Sequence, residues 1–292
     1  MRRPGVLRSG DEIAVVAPSS PFDRTRFERG VQALQQIGLR PVFTERVYAK
    51  QAYLAGEDDE RQRELQEALV GPAKAVILAR GGYGALRFAT LLEQPLEPKL
   101  LIGYSDATVL HEVWWRAGVP SIHGPMCTQL GEDPAALERL RALLFEAQAA
   151  APIEWKPGGG TGRAEGVLRG GNLATLASLC GTRLQPGFNG ALVLLEDLNE
   201  PPYRLDRLLT QLLLSGAFDG ARGFVIGDLT APGEPEEGRA EAVAERLASL
   251  KVPVAFGAPF GHAGRNQPVA FGTRHALDAE RGSLVPLEPL TC

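Results

Sequence analysis

The chain has 292 residues, of which 44% are apolar and 23% charged, and its formal net charge is −4. This composition is ordinary for a soluble globular protein and gives enough chain for two domains. The mild negative charge and the absence of a long basic run argue against nucleic acid as a partner. No stretch approaches the ~18 uninterrupted apolar residues of a membrane span.

The N-terminus and the cysteines predict a cytoplasmic protein. Two arginines follow Met1, but no apolar core precedes the acidic pair Asp11 and Glu12, so no secretory signal is indicated. The three cysteines are widely spaced, which excludes a disulfide framework and fits a reducing compartment. They lie at Cys127, Cys180 and Cys292.

Short apolar runs alternate with amphipathic segments through the first half of the chain. Strands are predicted at 12–17, 41–45, 75–79 and 100–103, and helices at 26–38, 58–70, 84–94, 106–118 and 133–148. This alternation predicts an α/β fold with a mainly parallel sheet flanked by helices. Ligands of such sheets bind beyond the C-terminal ends of the strands.

The composition changes near residue 149. Residues 149–166 hold two prolines and a glycine cluster, which is typical of a domain boundary. We therefore expect an N-terminal α/β domain over 1–150, a linker over 151–163 and a C-terminal domain over 164–292. The last part mixes short strands with helices, so we expect a smaller, β-rich domain that is α+β or barrel-like.

Ser105 lies in "GYSDAT", where a predicted strand gives way to a predicted helix. A sharp turn at this point would lift the serine above the sheet edge and beside helix N-terminal amides, as in a nucleophile elbow, although the spelling is not G-x-S-x-G. The alternative is that Ser105 or Asp106 simply caps the helix. A nucleophile needs a histidine elsewhere, whereas a cap does not.

Four histidines could supply the base. His262, in "PFGHAGRN", follows an apolar strand and lies in a glycine-rich loop, a common place for a catalytic base. His123 follows a strand and is expected to be structural. His111 lacks the second histidine of a zinc-binding H-E-x-x-H motif. His275 has no distinctive neighbours and is expected at the surface.

A catalytic imidazole also needs an acid that fixes its tautomer. Glu196 directly follows four apolar residues and is expected at the C-terminal end of a strand. Asp197 and Glu200 fall in the following loop and are expected to be solvated or capping groups.

Two glycine-rich segments lie where a site could form. The first, "ARGGYGALR" (79–87), lacks the signature of a P-loop or a complete dinucleotide-binding fingerprint, but its amides could form half of an oxyanion hole. The second, "RGGNLATL" (169–176), is either a tight turn that caps a helix or a loop that lines the site. No Cys/His cluster has metal-ligand spacing.

Taken together, these segments resemble the LD-carboxypeptidase family of serine peptidases. The resemblance runs over nearly the whole chain, in the order "VVAPSSP", "ARGGYGA", "LLIGYSDAT", "HGPM", "AEGVLRGGNLATLASLCGT", "LVLLEDLNEPPYRLDRLL" and "PFGHAGRN". Matched motif by motif, the Ser–Glu–His triad of the family falls on Ser105, Glu196 and His262.

The resemblance implies both an architecture and a reaction. The architecture is an α/β domain that carries Ser105 and a smaller β-rich domain that carries the other two triad residues, often in a homodimer. The reaction is cleavage between an L-centre and a C-terminal D-amino acid, with a muropeptide substrate and release of D-Ala during cell-wall recycling. The backbone amides of Gly82 and Asp106 would hold the oxyanion, and no metal or organic cofactor would be needed.

One departure from the family pattern lies after the histidine. The family has a Leu-Pro-x-Gly element there, whereas this chain has "QPVAFG", which keeps Gly272 and lacks the Leu-Pro pair. This puts the local strand contact in question but not the triad.

Two other functions stay open. Relatives that give immunity to microcin C hydrolyse a peptidyl-nucleotide, and Trp155 could supply the aromatic ring that stacks on the base, although packing is the simpler role. In a different class, two-domain α/β proteins bind small ligands without any chemistry. In that case Ser105 would be a helix cap.

Overall fold

The structure, a computed structural model, describes residues 1–92, 98–230, 238–262 and 264–292. The chain forms two compact units. The first unit holds Met1–Gln148, Gln267–Ala270 and Leu290–Cys292, and the second holds Ala149–Asn266 and Phe271–Pro289. That residues 1–150 and 164–292 form separate domains joined by a linker over 151–163 stays a prediction.

The described residues form thirteen strands and seven α-helices. The strands are β1 (Glu12–Val16), β2 (Arg40–Val42), β3 (Ala75–Leu78), β4 (Leu100–Gly103), β5 (Ser121–His123), β6 (Ile153–Glu154), β7 (Arg163–Asn172), β8 (Ala191–Glu196), β9 (Gly223–Ile226), β10 (Val254–Phe256), β11 (Val269–Phe271), β12 (Arg274–Asp278) and β13 (Ser283–Pro286). The helices are α1 (Arg24–Gln36), α2 (Asp58–Val70), α3 (Ala107–Arg116), α4 (Pro134–Phe145), α5 (Leu173–Ser178), α6 (Pro202–Leu214) and α7 (Arg239–Leu247).

The first unit is built on a six-stranded sheet in the order β11-β5-β4-β3-β1-β2. Strands β1 to β5 pair in parallel, and β3 and β4 are buried at every position because α-helices and loops cover the sheet. This confirms the α/β fold predicted from the alternating pattern. Strand β11 covers "VAF" of the variant "QPVAFG" element, so the loss of the Leu-Pro pair does not prevent a strand there.

Local chemistry accounts for the ends of these helices. The Asp23 side chain accepts a hydrogen bond from the Arg26 N–H at the start of α1. Asp133 does the same for two amides of α4, with Pro134 at the first helical position. Three acidic residues occupy the first turn of α2, where the helix dipole favours negative charge.

The predicted helix over 84–94 is wrong in its described part. Two short 3₁₀ turns, Ala85–Arg87 and Ala89–Leu91, replace it. Gly84 has φ +143° and Phe88 has φ −132°, and neither value fits a continuous α-helix. Residues 93–97 lie outside the described residues.

The second unit is built on a seven-stranded mixed sheet in the order β10-β9-β8-β7-β12-β13-β6. Strands β7 to β10 pair in parallel, whereas β12 pairs with β7 and β13 in antiparallel fashion. In the described part of the chain this sheet is open, with β10 and β6 at its edges, and does not close into a barrel. Of the two forms predicted for this β-rich region, the structure therefore has the α+β one.

One apolar core fills the space between this sheet and its helices. Leu173 of α5 and Leu205 and Leu209 of α6 pack there with Val193 of β8 and Phe224 of β9. Burial of this cluster holds the C-terminal ends of β7 and β8 in fixed positions.

Strand β7 runs through a segment that composition assigns to the boundary and to a turn. It has ten residues and ends at Asn172, which caps α5 by accepting a hydrogen bond from the Thr175 N–H. Its glycines permit close approach to β8, since a Cβ on Gly170 would lie 2.0 Å from the Leu194 oxygen. The glycine run that suggested a turn or loop is thus a packing requirement of a strand.

Candidate active site

Ser105 occupies the turn between β4 and α3 in a strained backbone conformation. Its φ is +63°, in the left-handed region that residues other than glycine rarely adopt. Gly81 leaves the space for this turn, since a Cβ there would lie 2.9 Å from the Ser105 Cβ and 3.0 Å from its Oγ. The strand–turn–helix geometry predicted for a nucleophile elbow is therefore present.

The alternative role of helix cap does not hold for either side chain. Asp106 is the N-cap residue of α3, yet its side chain makes no capping hydrogen bond. The Ser105 oxygen that receives the Thr108 N–H is the backbone carbonyl, not the hydroxyl. The serine side chain is thus not explained by the needs of the helix.

The Asp106 carboxylate joins the serine turn to two other segments of the first unit. Its Oδ2 accepts hydrogen bonds from the Ser19 hydroxyl at 2.6 Å and from the Ala85 N–H at 2.9 Å. The side chain is buried, and burial raises the pKa of this carboxyl, while the bonds from Ser19 and Ala85 act in the opposite direction. This carboxylate fixes the glycine-rich loop beside the turn.

Gly82 lies in that loop with φ +103°, and a Cβ on it would collide with the Ser20 side chain at 2.3 Å. Ser20 holds the loop on both sides, since its N–H donates to the Gly81 oxygen and its hydroxyl accepts from the Tyr83 N–H. Within the described residues, the N–H groups of Gly82 and Asp106 donate to no protein acceptor. Both amides are therefore candidate donors to an anion.

His111 stabilises the strand end that precedes the serine turn and does not act as a catalytic base. Its Nε2 donates to the Gly103 oxygen at 2.9 Å, so its Nδ1 accepts from the Ser121 hydroxyl at 2.8 Å. Complete burial lowers the pKa of His111 to about 4. The ring stays neutral at physiological pH and holds the end of β4 against β5 and α3.

The other two structural histidines are fully buried. His123 ends β5 and its ring lies 5.9 Å from that of Tyr104. His275 was expected at the surface, which is wrong, because it lies in β12 with no exposed area and its Nδ1 donates to the Thr273 oxygen. The strand pattern of "RHALD", with alternate residues buried, explains the difference.

His262 and Glu196 form a hydrogen-bonded pair in the second unit. Glu196 is the last residue of β8 and has no exposed surface, and its Oε2 lies 2.7 Å from the His262 Nδ1. The carboxylate accepts, so Nδ1 carries the proton and Nε2 carries the lone pair of the neutral ring. Gly261, with φ +118°, allows this approach, since a Cβ there would lie 2.9 Å from the Glu196 Oε2.

The surroundings of His262 raise its pKa. Burial alone would lower it, but the hydrogen bond with Glu196 and the charges of Glu196, Asp197 and Asp228 outweigh burial. The pKa of His262 therefore lies above the ordinary value of about 6.5. A histidine paired with a carboxylate in this way is a stronger proton acceptor than an isolated one.

Asp197 and Glu200 do not bind the histidine. They were expected to be solvated or capping groups, and only the capping role holds, for Asp197. Asp197 is buried, not solvated, and its two oxygens accept from Asn172 Nδ2, the Ala174 N–H and the Leu198 N–H. It therefore acts as a capping group at the start of α5. Glu200 is bound by Arg204 at 2.8 Å. Among the three acids, Glu196 alone reaches the histidine in the described structure.

No group of three or more His, Cys, Asp or Glu side chains is arranged to hold a metal ion within the described ranges. Nor does any helix in the same residues combine the length and the apolar character needed to cross a bilayer.

Several residues of this site escaped the sequence analysis as individual candidates. Ser19 and Ser20 lie in the family-like string "VVAPSSP" without a distinguishing pattern of their own, and Asp228 lies in none of the family-like strings. A signal existed, because Ser19 follows the buried strand β1 and Asp228 follows β9, the same strand-end position that identified Glu196. Their bonding partners are distant in sequence and could not be inferred from spacing.

Two known family models match most of the chain. The family model described as the LD-carboxypeptidase N-terminal domain matches residues 13–124, and that of the LD-carboxypeptidase C-terminal domain matches residues 165–277. The chain therefore belongs to the LD-carboxypeptidase family, and the predicted resemblance is confirmed. Membership of this family makes the protein a peptidase, that is, a hydrolase of amide bonds.

Individual relatives agree with this assignment. A protein of Streptomyces coelicolor that is assigned as a carboxypeptidase is 42% identical over 99% of this chain and 97% of its own length. The murein tetrapeptide carboxypeptidase of Pseudomonas aeruginosa is 33% identical over 92% of this chain and 94% of its own. The microcin C7 self-immunity protein MccF of Escherichia coli is 25% identical, over 95% and 93% respectively.

Solved structures show the same fold. A muramoyltetrapeptide carboxypeptidase from Oxalobacter formigenes superposes with a TM-score of 0.79 at 27% identity, over 95% of this chain and 99% of that one. An MccF-like protein from Bacillus anthracis superposes with a TM-score of 0.87 at 24% identity, over 98% and 99%.

The strain at Ser105 predicts an unusual order of stabilities. Replacing Ser105 by Gly removes the cost of a positive φ, whereas Ala keeps it, so Ser105→Gly should be more stable than Ser105→Ala by about 1 kcal/mol. At Ser178, an exposed residue of helix α5, the order should be reversed. Denaturant unfolding of the four variants checks this. An Ala variant as stable as the Gly variant at position 105 would contradict the strain.

The Glu196 carboxylate is predicted to sustain the pKa of His262. Burial lowers the pKa of His262 and Glu196 raises it. Because Glu196→Gln removes the negative charge, the pKa of His262 should be lower in this variant than in the wild type. NMR titration of the ring protons measures it. His111, with its pKa of about 4, serves as an internal reference that should not titrate between about pH 5 and 8 in either protein. An unchanged pKa of His262 would mean that Glu196 does not act on the ring.

Proposed function

We propose that this protein is a serine-type LD-carboxypeptidase in which Ser105 is the nucleophile, His262 the base and Glu196 the residue that orients the base. The observation that carries the proposal is the buried Glu196–His262 pair, with Oε2 and Nδ1 2.7 Å apart, in a chain whose serine lies in a strained strand–helix turn. A structural salt bridge does not require a fully buried carboxylate bound to a histidine, and a helix cap does not require a serine with a positive φ.

In the proposed reaction, the Ser105 Oγ attacks the carbonyl carbon of the scissile amide. Its proton passes to the lone pair of His262 Nε2, and Glu196 stabilises the imidazolium that forms. The imidazolium then gives the proton to the nitrogen of the departing D-amino acid as the C–N bond breaks. An ester of the L-centre carbonyl with Ser105 remains, and water hydrolyses it by the same proton path.

The amides of Gly82 and Asp106 are the proposed oxyanion donors. Support comes from their N–H groups, which donate to no protein acceptor in the described part of the first unit. The hydrogen bonds of the Ser20 hydroxyl and of the Asp106 carboxylate, which hold the glycine-rich loop in place, also favour this role. One such donor typically contributes about 3–4 kcal/mol to transition-state stabilisation. Donors held this firmly need no reorganisation during the reaction.

The proposed substrate is a muropeptide tetrapeptide, cut between its L-centre diamino acid and the terminal D-Ala in cell-wall recycling. The names of the Pseudomonas aeruginosa and Oxalobacter formigenes relatives, both of which refer to this class of peptide, support the proposal. The acyl half of the substrate would carry the L-centre and the leaving group the D-centre.

A peptidyl-nucleotide, as the name of MccF suggests, is the second candidate substrate. Such a substrate needs an exposed aromatic ring for its base. Trp155 is half-buried, and its indole N–H donates to the Phe256 oxygen at 2.9 Å, so this ring packs within the second unit. This contact favours the muropeptide. A non-catalytic ligand-binding role is disfavoured by the peptidase family and by the Glu196–His262 pair.

A homodimer and a cytoplasmic location are part of the same proposal. The homodimer rests on the family resemblance, and the cytoplasmic location rests on the three widely spaced cysteines.

Release of D-Ala tests the proposal. A synthetic tetrapeptide with an L,D terminal bond should lose D-Ala, measured by mass spectrometry, while its L,L counterpart and a peptidyl-nucleotide should stay intact. Ser105→Ala and His262→Ala should each lower kcat by about 10⁴ or more, and Glu196→Gln by about 10⁴, because the triad acts as a unit. All three variants should keep the wild-type circular dichroism.

Glu200→Gln is the matched control, since it removes a neighbouring carboxylate that binds Arg204 rather than the histidine. It should keep the wild-type rate within about threefold, because the Glu200 side chain binds Arg204 and contacts neither the histidine nor the serine turn. Cleavage of neither tetrapeptide by the wild type would refute the function. A nearly normal rate in His262→Ala or Glu196→Gln would show that the base or its partner is misassigned.

A further inference from the structure

Arg80 is a cation with a fixed position and unused donors beside the proposed nucleophile. It is exposed, follows the buried Ala79 and directly precedes the Gly81–Gly82 pair. Its Nη1 donates to the Pro21 oxygen at 2.8 Å. No carboxylate of the described residues pairs with it. By contrast, Arg87 of the same loop binds Asp58 at 2.7 Å.

The guanidinium and the serine hydroxyl flank the same two glycines. A Cβ built on Gly81 would lie 3.0 Å from the Ser105 Oγ, and one built on Gly82 would lie 3.8 Å from the Arg80 Nη1. All of these groups belong to the first unit. A negatively charged group bound by Arg80 would therefore lie at the same two-glycine segment that borders the Ser105 hydroxyl.

The proposed substrate has one such group. Its terminal carboxylate carbon lies about 4 Å from the scissile carbonyl carbon, since a single residue separates them. An exopeptidase must recognise that carboxylate, because it is what distinguishes the last amide bond from the others. The bond to Pro21 holds one guanidinium nitrogen, which leaves the edge formed by Nε and Nη2 to bind both oxygens of a carboxylate.

We propose that Arg80 binds the terminal carboxylate of the D-amino acid and thereby restricts the enzyme to the last residue of its substrate. The inference rests on the proposed function and names the group that sets its exopeptidase specificity. Arg80 contacts the leaving group, so its contribution should appear mainly in the binding of substrates that carry a free carboxylate.

The experiment compares a tetrapeptide that ends in D-Ala with the same peptide ending in D-Ala amide. The wild type should prefer the free acid by about 10- to 100-fold in kcat/KM, the usual effect of a charge-assisted bidentate pair. Arg80→Gln should lose this preference through a higher KM for the acid, with little change for the amide. Arg80→Lys should keep part of the preference, because it retains the charge without the planar fork.

Arg87→Gln is the control, since it removes one positive charge from the same loop at an arginine already bound to Asp58. It should keep the full preference for the acid. An Arg80→Gln variant, or an Arg80→Lys variant if the first does not fold, that cleaves the acid as selectively as the wild type would overturn the inference and leave the function intact. A wild type that cleaves acid and amide equally would also overturn it. Release of neither D-Ala from the acid nor D-Ala amide from the amide would refute the function itself.

Discussion

The backbone of Ser105, at φ +63°, is the constraint on which the proposed site depends. A non-glycine residue in this conformation costs about 1–2 kcal/mol, so the surrounding structure must enforce it. Gly81 leaves room for the serine, and His111 binds the carbonyl of Gly103 just before the turn. The Asp106 carboxylate binds Ser19 and the Ala85 N–H just after it. Strain at one residue is thus offset by contacts that converge from three segments of the first unit.

Adjacent carboxylates in the second unit have different chemistry because their partners differ. The oxygens of Asp197 already accept three hydrogen bonds from its neighbours, which fixes that side chain as a structural anchor for α5. Glu196 is equally inaccessible to solvent but extends to His262, and the negative charges around the ring favour its protonated form. Glu196 and Asp197 have different partners because successive side chains at the C-terminal end of β8 point in opposite directions.

The two arginines of the glycine-rich loop also differ in their partners. Arg87 is paired with Asp58, which also binds Arg61, whereas Arg80 is held by a backbone carbonyl and has no carboxylate partner among the described side chains. An uncompensated cation on a protein surface is available to an anionic ligand, while a paired one is not.

The sequence pattern is sufficient to predict the strands β1, β3, β4 and β8, because each contains a short run of consecutive apolar residues. The same logic placed Glu196 at a strand end. It failed for β7 and for 84–92, where glycines suggested a turn and an apolar periodicity suggested a helix. Both errors arise from long-range packing, of Gly170 against Leu194 and of Gly84 against Arg61, which no local window contains. The roles of Ser19 and Arg80 depend in the same way on partners that lie elsewhere in the chain.

Covalent labelling of the serine tests the central claim most directly. A fluorophosphonate forms a stable bond only with a serine that is activated as a nucleophile, and intact and peptide mass spectrometry locates the adduct. We predict one adduct per wild-type chain, at Ser105, with no labelling in Ser105→Ala and labelling slowed by about 10³ or more in His262→Ala. An unlabelled wild type, or an adduct at Ser105 that forms equally fast without His262, would contradict the account.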